Sequence, residues 1–314
     1  MTTSAIAVSG LRKAFGDKTV LDGIDLDVPA GTVFSLLGPN GAGKTTTVNV
    51  LTTLLKADAG TVRIAGHDIA TETRAVRALV GVTGQFAAVD ELLTGQENLQ
   101  LMADLKHLGA AEAKRVTTDL LERFDLAESA QKLVSTYSGG MRRKLDLAMT
   151  LVGAPRIIFL DEPTTGLDPR SRRTMWEIVR ELVADGTTVF LTTQYLDEAD
   201  QLADRIAVLD QGRVVAEGTP GELKRQVPGS HVRLRFADSA ALQAAARVLA
   251  GSTADDAALT LRVPSDGGVK SVRGLLDRLD EYSIDAEEFS VHTPDLDDVF
   301  LALTGHASTE VTAK

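Results

Sequence analysis

The 314-residue chain contains no cysteine, which excludes a disulfide scaffold, a thiolate metal site and a cysteine nucleophile, and fits a reducing compartment. It also lacks any run near the roughly 18 apolar residues that a membrane-spanning helix needs. Met1-Thr2-Thr3-Ser4-Ala5 offers neither a basic segment nor an apolar stretch, so no secretory signal is visible. Any action on a membrane is therefore expected to run through another polypeptide. Basic charge is scarce as well. Lys and Arg number 33 against 44 Asp and Glu, a formal net charge of −11, which argues against a mainly electrostatic nucleic-acid binder. With 27 glycines and 9 prolines the chain is not of low complexity. What is present, 44% hydrophobic and 25% charged residues, suits a folded globule, and the length suggests about two domains.

Residues 4 to 37 read as short strands and turns. Ile24, Leu26 and Val28 alternate with Asp25 and Asp27, and Val33 to Leu37 is a buried strand between Gly31 and Gly38. Thr45 to Leu55 reads as a helix, and residues 91 to 150 are mostly helical in pattern. Ile157 to Leu160 and Thr188 to Thr192 are apolar strands. Between them Asp168-Pro169 opens a helix that Gly186 closes. Strands alternating with helices indicate an α/β fold with a parallel sheet. The antiparallel N-terminal piece and the helical insert are additions to it. Val227-Pro228-Gly229-Ser230 reads as a linker. Beyond it, strands at His231–Phe236, Leu259–Val263 and Ile284–Val291, and helices at Ser239–Ala250, Val269–Leu279 and Leu296–Leu303, predict a small α+β domain. The expected division is residues 1–226, with a helical subdomain at about 86–150, and residues 227–314.

Gly38-Pro39-Asn40-Gly41-Ala42-Gly43-Lys44-Thr45 satisfies G-x-x-x-x-G-K-[ST] between a strand and a helix. Glycines let backbone N–H groups curl around phosphate oxygens, and the helix N-terminus adds partial positive charge. Lys44 can reach the β- and γ-phosphates and the Thr45 hydroxyl can ligate Mg²⁺. This pattern predicts binding of a nucleoside triphosphate. The strand Ile157–Leu160 delivers Asp161 to the carboxyl end of the sheet, where it can hold Mg²⁺, and Glu162 beyond it can polarise the water that attacks the γ-phosphate. Tyr137-Ser138-Gly139-Gly140-Met141-Arg142-Arg143 opens a further helix, and Ser-Gly-Gly at that place is a second anion site.

Phosphate loop, Ser-Gly-Gly helix and acidic strand, in this order, resemble the ABC ATPase (ATP-binding cassette) family over about residues 4 to 220. The resemblance implies a P-loop cassette with a mixed core sheet, an antiparallel β subdomain and a helical subdomain. It also implies two copies packed head to tail, each ATP lying between one phosphate loop and Ser138, Gly139 and Gly140 of the other copy. Gln85, in Val82-Thr83-Gly84-Gln85, matches the loop that senses Mg²⁺ and water and abuts a membrane partner. Gly166-Leu167-Asp168 matches the loop at the dimer seam, and Phe15 the ring that stacks on adenine. The nucleotide set implied is Phe15, Val20, Gly38, Pro39, Asn40, Gly41, Ala42, Gly43, Lys44, Thr45, Thr46, Gln85, Ser138, Gly139, Gly140 and Asp168. The metal ligands would be Thr45, Gln85 and Asp161, and the catalytic groups Glu162, Gln194 and Lys44.

Two features depart from the commoner family pattern. Tyr-Ser-Gly-Gly-Met replaces Leu-Ser-Gly-Gly-Gln, and Gln194, in Leu191-Thr192-Thr193-Gln194-Tyr195, stands where a histidine is usual. An amide can donate a hydrogen bond to the γ-phosphate but cannot relay a proton. That favours a mechanism resting on Glu162. With the tail Pro294-Asp295-Leu296-Asp297-Asp298-Val299-Phe300-Leu301, these features resemble the ATP-binding subunits of daunorubicin/doxorubicin-resistance exporters. That resemblance implies an ATPase on the cytoplasmic face of the cell membrane. It would use ATP and Mg²⁺, pair with a second copy, and power efflux of a drug or lipid through a separate integral membrane permease subunit. No nucleic-acid partner is expected. The resemblance implies that the tail helps pair subunits or regulate the transporter; Leu296, Val299, Phe300 and Leu303 at helical spacing equally suit the cover of a small core, and the two readings are compatible. The alternative function is a soluble ABC ATPase acting on a non-transport partner.

Overall fold

The computed structural model describes residues 4–227, 230–292 and 294–305. The chain divides into two compact units, residues 1–220 and 221–314. In the first, the alternation at Ile24–Val28 belongs to a long strand, since β1 (Ser4–Phe15) and β2 (Lys18–Pro29) are twelve-residue antiparallel partners rather than short pieces. After β3 (Val33–Leu37) and α1 (Lys44–Leu51), β4 (Ala59–Ile64) and β5 (His67–Asp68) complete an antiparallel sheet ordered β2-β1-β4-β5.

Helix α1 ends four residues earlier than its apolar pattern predicts. Thr53 lies at φ 65, outside helical space, and the Leu54 and Leu55 amides both turn back to the Asn49 carbonyl. Then follow α2 (Thr73–Leu79), β6 (Val80–Thr83), and the helical region of α3 (Gly95–Leu105), α4 (Ala110–Arg123) and α5 (Gly139–Leu151). A capping box between Thr94 and Glu97 fixes the start of α3.

The remaining elements are β7 (Ile157–Asp161), α6 (Pro169–Ala184), β8 (Thr188–Thr193), α7 (Leu196–Leu202), β9 (Arg205–Asp210) and β10 (Arg213–Gly218). They build a six-stranded sheet ordered β10-β9-β3-β8-β7-β6, parallel except for β10. All residues of β3, β7 and β8 are buried, as in a sheet covered on both faces. Ile157 and Phe159 join Phe34 and Phe190 in one core, while Ile158 and Leu160 join α5 and α6 in another. The Phe34 and Phe190 rings stack at 5.6 Å. This order sets the carboxyl ends of β3, β8 and β7 side by side, with Leu37 in register with Thr193 and Asp161 with Thr192.

Helix α8 (Pro220–Gln226) precedes the expected linker, of which Pro228 and Gly229 lie outside the described residues. Past α8, the second unit runs β11 (His231–Arg235), α9 (Ser239–Val248), β12 (Thr253–Asp255), β13 (Thr260–Pro264), α10 (Val269–Glu281), β14 (Glu288–His292) and α11 (Leu296–Thr304). The first six form a split β-α-β unit with antiparallel strand order β12-β13-β11-β14. Val232, Leu234, Leu261 and Val263 pack beneath α9 and α10. The last strand starts at Glu288, not Ile284, because Ser283 at φ 52 and the Ile284 amide bonded to Leu279 close α10 first.

Candidate nucleotide site

Strand β3 runs into the glycine loop, and Gly38 donates its N–H to the Thr193 carbonyl at 3.1 Å. Only glycine fits there, since a Cβ would collide with the Leu209 carbonyl oxygen. Gly43, at φ 112, starts α1 without a side-chain cap, and a Cβ on it would meet Leu21 and the Val20 carbonyl. The first amides of α1 are therefore left for an anion. Lys44 is buried. Its Nζ donates to the carbonyls of Gly38 at 2.7 Å and Pro39 at 3.1 Å, and lies 3.2 Å from Glu162 Oε1. Burial pulls its pKa below the usual lysine range, against the opposing pull of Glu162. Asn40, Gly41 and Thr45 are exposed, Pro39 and Thr46 half-buried, and Ala42 buried. Phe15 is 51% exposed beside Lys13, whose Nζ lies 5.5 Å from the ring centre, so its face is not core.

The acidic end sits two strands over, on β7, with β8 between it and β3. The Thr192 hydroxyl donates to Asp161 Oδ1 at 2.6 Å, and the Glu162 N–H reaches both the Thr192 hydroxyl and its carbonyl at 3.1 Å. These bonds hold Glu162 at φ 50, a left-handed conformation that is uncommon outside glycine and clusters at functional sites. Gln85 Nε2 and Thr165 Oγ1 each lie 3.4 Å from Glu162 Oε2. Lys44, Asp161, Glu162 and Gln85 are thus gathered within one constellation. Thr192 was missed at the level of sequence, because only the β7–β8 register reveals its partners.

Arg143 was missed too. Buried in α5, its Nε donates to the Pro163 carbonyl (2.9 Å) and its Nη1 to that of Gly84 (2.6 Å). Nη1 also pairs with Asp146 Oδ2 at 3.3 Å, and Nη2 faces the Asp161 and Glu162 carbonyls at 3.3 and 3.4 Å. Asp146 in turn accepts the Ala88 N–H at 3.1 Å. One guanidinium thereby ties the Gln85 loop to the acidic turn. Glu198 plays a similar part nearby. Fully buried, its Oε1 accepts from Thr164 (2.8 Å) and Trp176 (3.1 Å), and burial pushes its pKa up.

Ser138 caps α5 by accepting the Met141 N–H at 3.2 Å, and Gly140 packs so close to Ser171 that a Cβ would stand 2.6 Å from its hydroxyl. Gly139 has open space around it. Asp168 caps α6 by accepting from the Arg170 and Ser171 amides. Gln194 follows β8, half-buried, without a side-chain hydrogen bond among the described residues. None of Phe15, Ser138, Gly139, Gly140 or Asp168 shares a hydrogen bond or ion pair with residues 38–46 among the described residues. Thr45, Gln85 and Asp161 supply hard oxygen donors of the kind Mg²⁺ takes. Among these three, Asp161 is the one carboxylate, which fits an ion that completes its shell with water and substrate phosphates.

A phosphate loop at the carboxyl end of a parallel sheet, with an acidic turn on the neighbouring strands, defines a P-loop nucleotide-binding protein. Comparison with known proteins narrows the class. Residues 21–165 match the ABC transporter domain. The chain is 52% identical over 307 residues to the daunorubicin resistance ATP-binding protein DrrA3 of Streptomyces coeruleorubidus, covering 97% of each chain. It is 50% identical to the daunorubicin/doxorubicin resistance ATP-binding protein DrrA of Streptomyces peucetius, covering 97% of this chain and 93% of the other. Among solved structures, it resembles a dimeric, post-hydrolysis ATP-binding cassette bound to ADP and Pi. The TM-score is 0.62 with 26% identity, over 68% of this chain and 98% of that one. The chain belongs to the ATP-binding proteins of ABC transporters, and carries their ATPase domain.

Proposed function

We propose that this chain is the ATP-hydrolysing motor of an exporter that moves a hydrophobic drug or lipid through a separate membrane subunit. The observation that carries the reading is Glu162, strained at φ 50 and set between Lys44 and Gln85 beside the phosphate loop. In this reading the phosphates of ATP take the α1 amides and the Lys44 ammonium, which frees the Glu162 carboxylate from its ion pair. Glu162 then orients and polarises the attacking water. Gln194 donates its amide to the γ-phosphate. Phe15 stacks on adenine, with Val20 beside it. Thr45, Gln85 and Asp161 would hold Mg²⁺, which when bound neutralises phosphate charge.

Two copies pack head to tail, so that Ser138, Gly139 and Gly140 of one complete the site of the other, with Asp168 at the seam. The dimeric cassette structure described above supports this pairing. Phe86, adjacent to Gln85 in sequence, and Leu92, in the same loop region, are each 84% exposed, apolar side chains suited to contact with a membrane subunit. No helix among the described residues is long and apolar enough to cross a membrane. In this reading the chain sits peripherally on the cytoplasmic face, held there by its membrane subunit. Residues 227–314 act as an accessory, regulatory domain to the cassette of residues 1–226.

Purification of tagged chain from detergent-solubilised native membranes tests the reading. Recovery of one polytopic membrane protein in matching amount is the expected result. Recovery of only ribosomal or DNA-associated proteins would overturn it.

A further inference from the structure

Strand β14 forms one edge of the second unit's sheet. All five of its residues pair with β11 on one side, while its other side has no backbone partner among the described residues. Every residue from Glu288 to His292 is exposed. Free edges are normally blunted by shortness, lysine or proline. The opposite edge, β12, follows that rule, being three residues long and ending in Asp255. Strand β14 does not. Phe289 and Val291 stand in register with buried Leu234 and Val232, on the helix-covered face, yet are 54% and 39% exposed. Beside Val291 lies a groove of about 510 Å³ lined by Val269, Val272 and Leu276 of α10, with Arg273, Asp277 and Asp280 of the same helix.

The order Glu288-Phe289-Ser290-Val291-His292 is its own complement. When two such strands run antiparallel about a two-fold axis at Ser290, Glu288 faces His292 of the second copy and Phe289 faces Val291. Ser290 faces itself. The axis stands perpendicular to the sheet, so both apolar pairs fall on the helix-covered face. A one-residue slip would put each apolar side chain on the wrong face. A two-residue slip would lose the carboxylate–imidazole pairs. We propose that β14 is a docking edge for a second copy of this chain, joining two four-stranded sheets into one continuous sheet. This pairing needs no nucleotide and does not rest on the ATPase reading. Five residues a side fall well short of the roughly 800 Å² per partner of a standard interface, so the contact is best read by trapping.

The absence of cysteine makes an engineered thiol unique. Ser290→Cys places two thiols opposite each other across a strand pair whose Cα atoms lie about 4.5–5.5 Å apart, inside the disulfide range. The full chain, oxidised without nucleotide, is expected to form a disulfide dimer as Ser290→Cys but not as Thr253→Cys on the β12 edge. Glu288→Cys mixed with His292→Cys should link as a heterodimer in preference to either homodimer. Adding Val291→Lys to Ser290→Cys should abolish the dimer, and further adding Phe289→Glu should restore it, since each lysine then faces a glutamate. All these side chains are exposed, and an unchanged far-UV circular dichroism spectrum and thermal midpoint of the full chain check the fold. Equal linkage at 290 and 253, no linkage at 290, or linkage indifferent to Val291→Lys would each overturn the proposal.

Discussion

Replacing Arg143 by methionine deletes the one buried cation that joins α5, the Gln85 loop and the acidic turn. The carbonyls of Gly84 and Pro163, bonded at 2.6 and 2.9 Å, lose their donor. Each orphaned buried acceptor costs about 1–3 kcal/mol. Asp146 loses its cation as well. Burial already pushes the Asp146 carboxyl above the ordinary aspartate range, so it sheds its charge rather than bearing the full cost of an unpaired ion, about 3–5 kcal/mol. The two carbonyls together account for about 2–6 kcal/mol before any share from Asp146, a large part of the about 5–15 kcal/mol by which a domain is folded. Trp176 is the only tryptophan and lies in the first unit, so its fluorescence in urea follows that unit alone. Removing Asp146 too, as Arg143→Met with Asp146→Leu, should recover about 1–2 kcal/mol, because no buried carboxylate is then left unpaired. A loss below about 1 kcal/mol in the single variant would refute the idea that Arg143 holds these loops together.

Thr192→Val removes the hydroxyl that bridges Asp161 and the Glu162 amide; stability of the first unit should fall by about 2 kcal/mol, and hydrolysis should drop more than ATP affinity. Unchanged turnover would show that Glu162 needs no such support. Glu198 titrates with its pKa raised by burial, so its contribution to stability is complete below its unfolded value and is lost as pH rises through the folded one. Glu198→Gln, which keeps an acceptor for Thr164 and Trp176, should therefore gain on the wild type as pH rises, read from urea midpoints by Trp176 fluorescence. Parallel pH profiles for the two proteins would contradict this.

What could be read from sequence was whatever is written in local pattern. The glycine loop, the N-cap pair Asp168-Pro169 and the apolar strands Val33–Leu37 and Ile157–Leu160 each announce themselves within a few residues, and the strands stand where the pattern predicts. Element ends were less legible. The tract Leu54-Leu55 continues a helical pattern, yet positive φ at Thr53 ends α1 before it. The same competition between pattern and a left-handed residue, at Ser283, delays β14. The supports of the site could not be read at all. Thr192 and Arg143 look like an ordinary strand threonine and a surface arginine until sheet order and helix docking bring them to Asp161 and Glu162. Their roles are long-range facts, and no spacing rule encodes them.

The central claim, that Glu162 drives hydrolysis of bound ATP, is tested most directly by single-turnover hydrolysis in the wild type and Glu162→Gln. The amide keeps the size of the side chain but cannot act as a base. The wild type should release phosphate in one turnover, whereas Glu162→Gln should bind ATP with similar affinity, release none and persist as an ATP-held dimer. Phosphate release at the wild-type rate by Glu162→Gln would contradict the account.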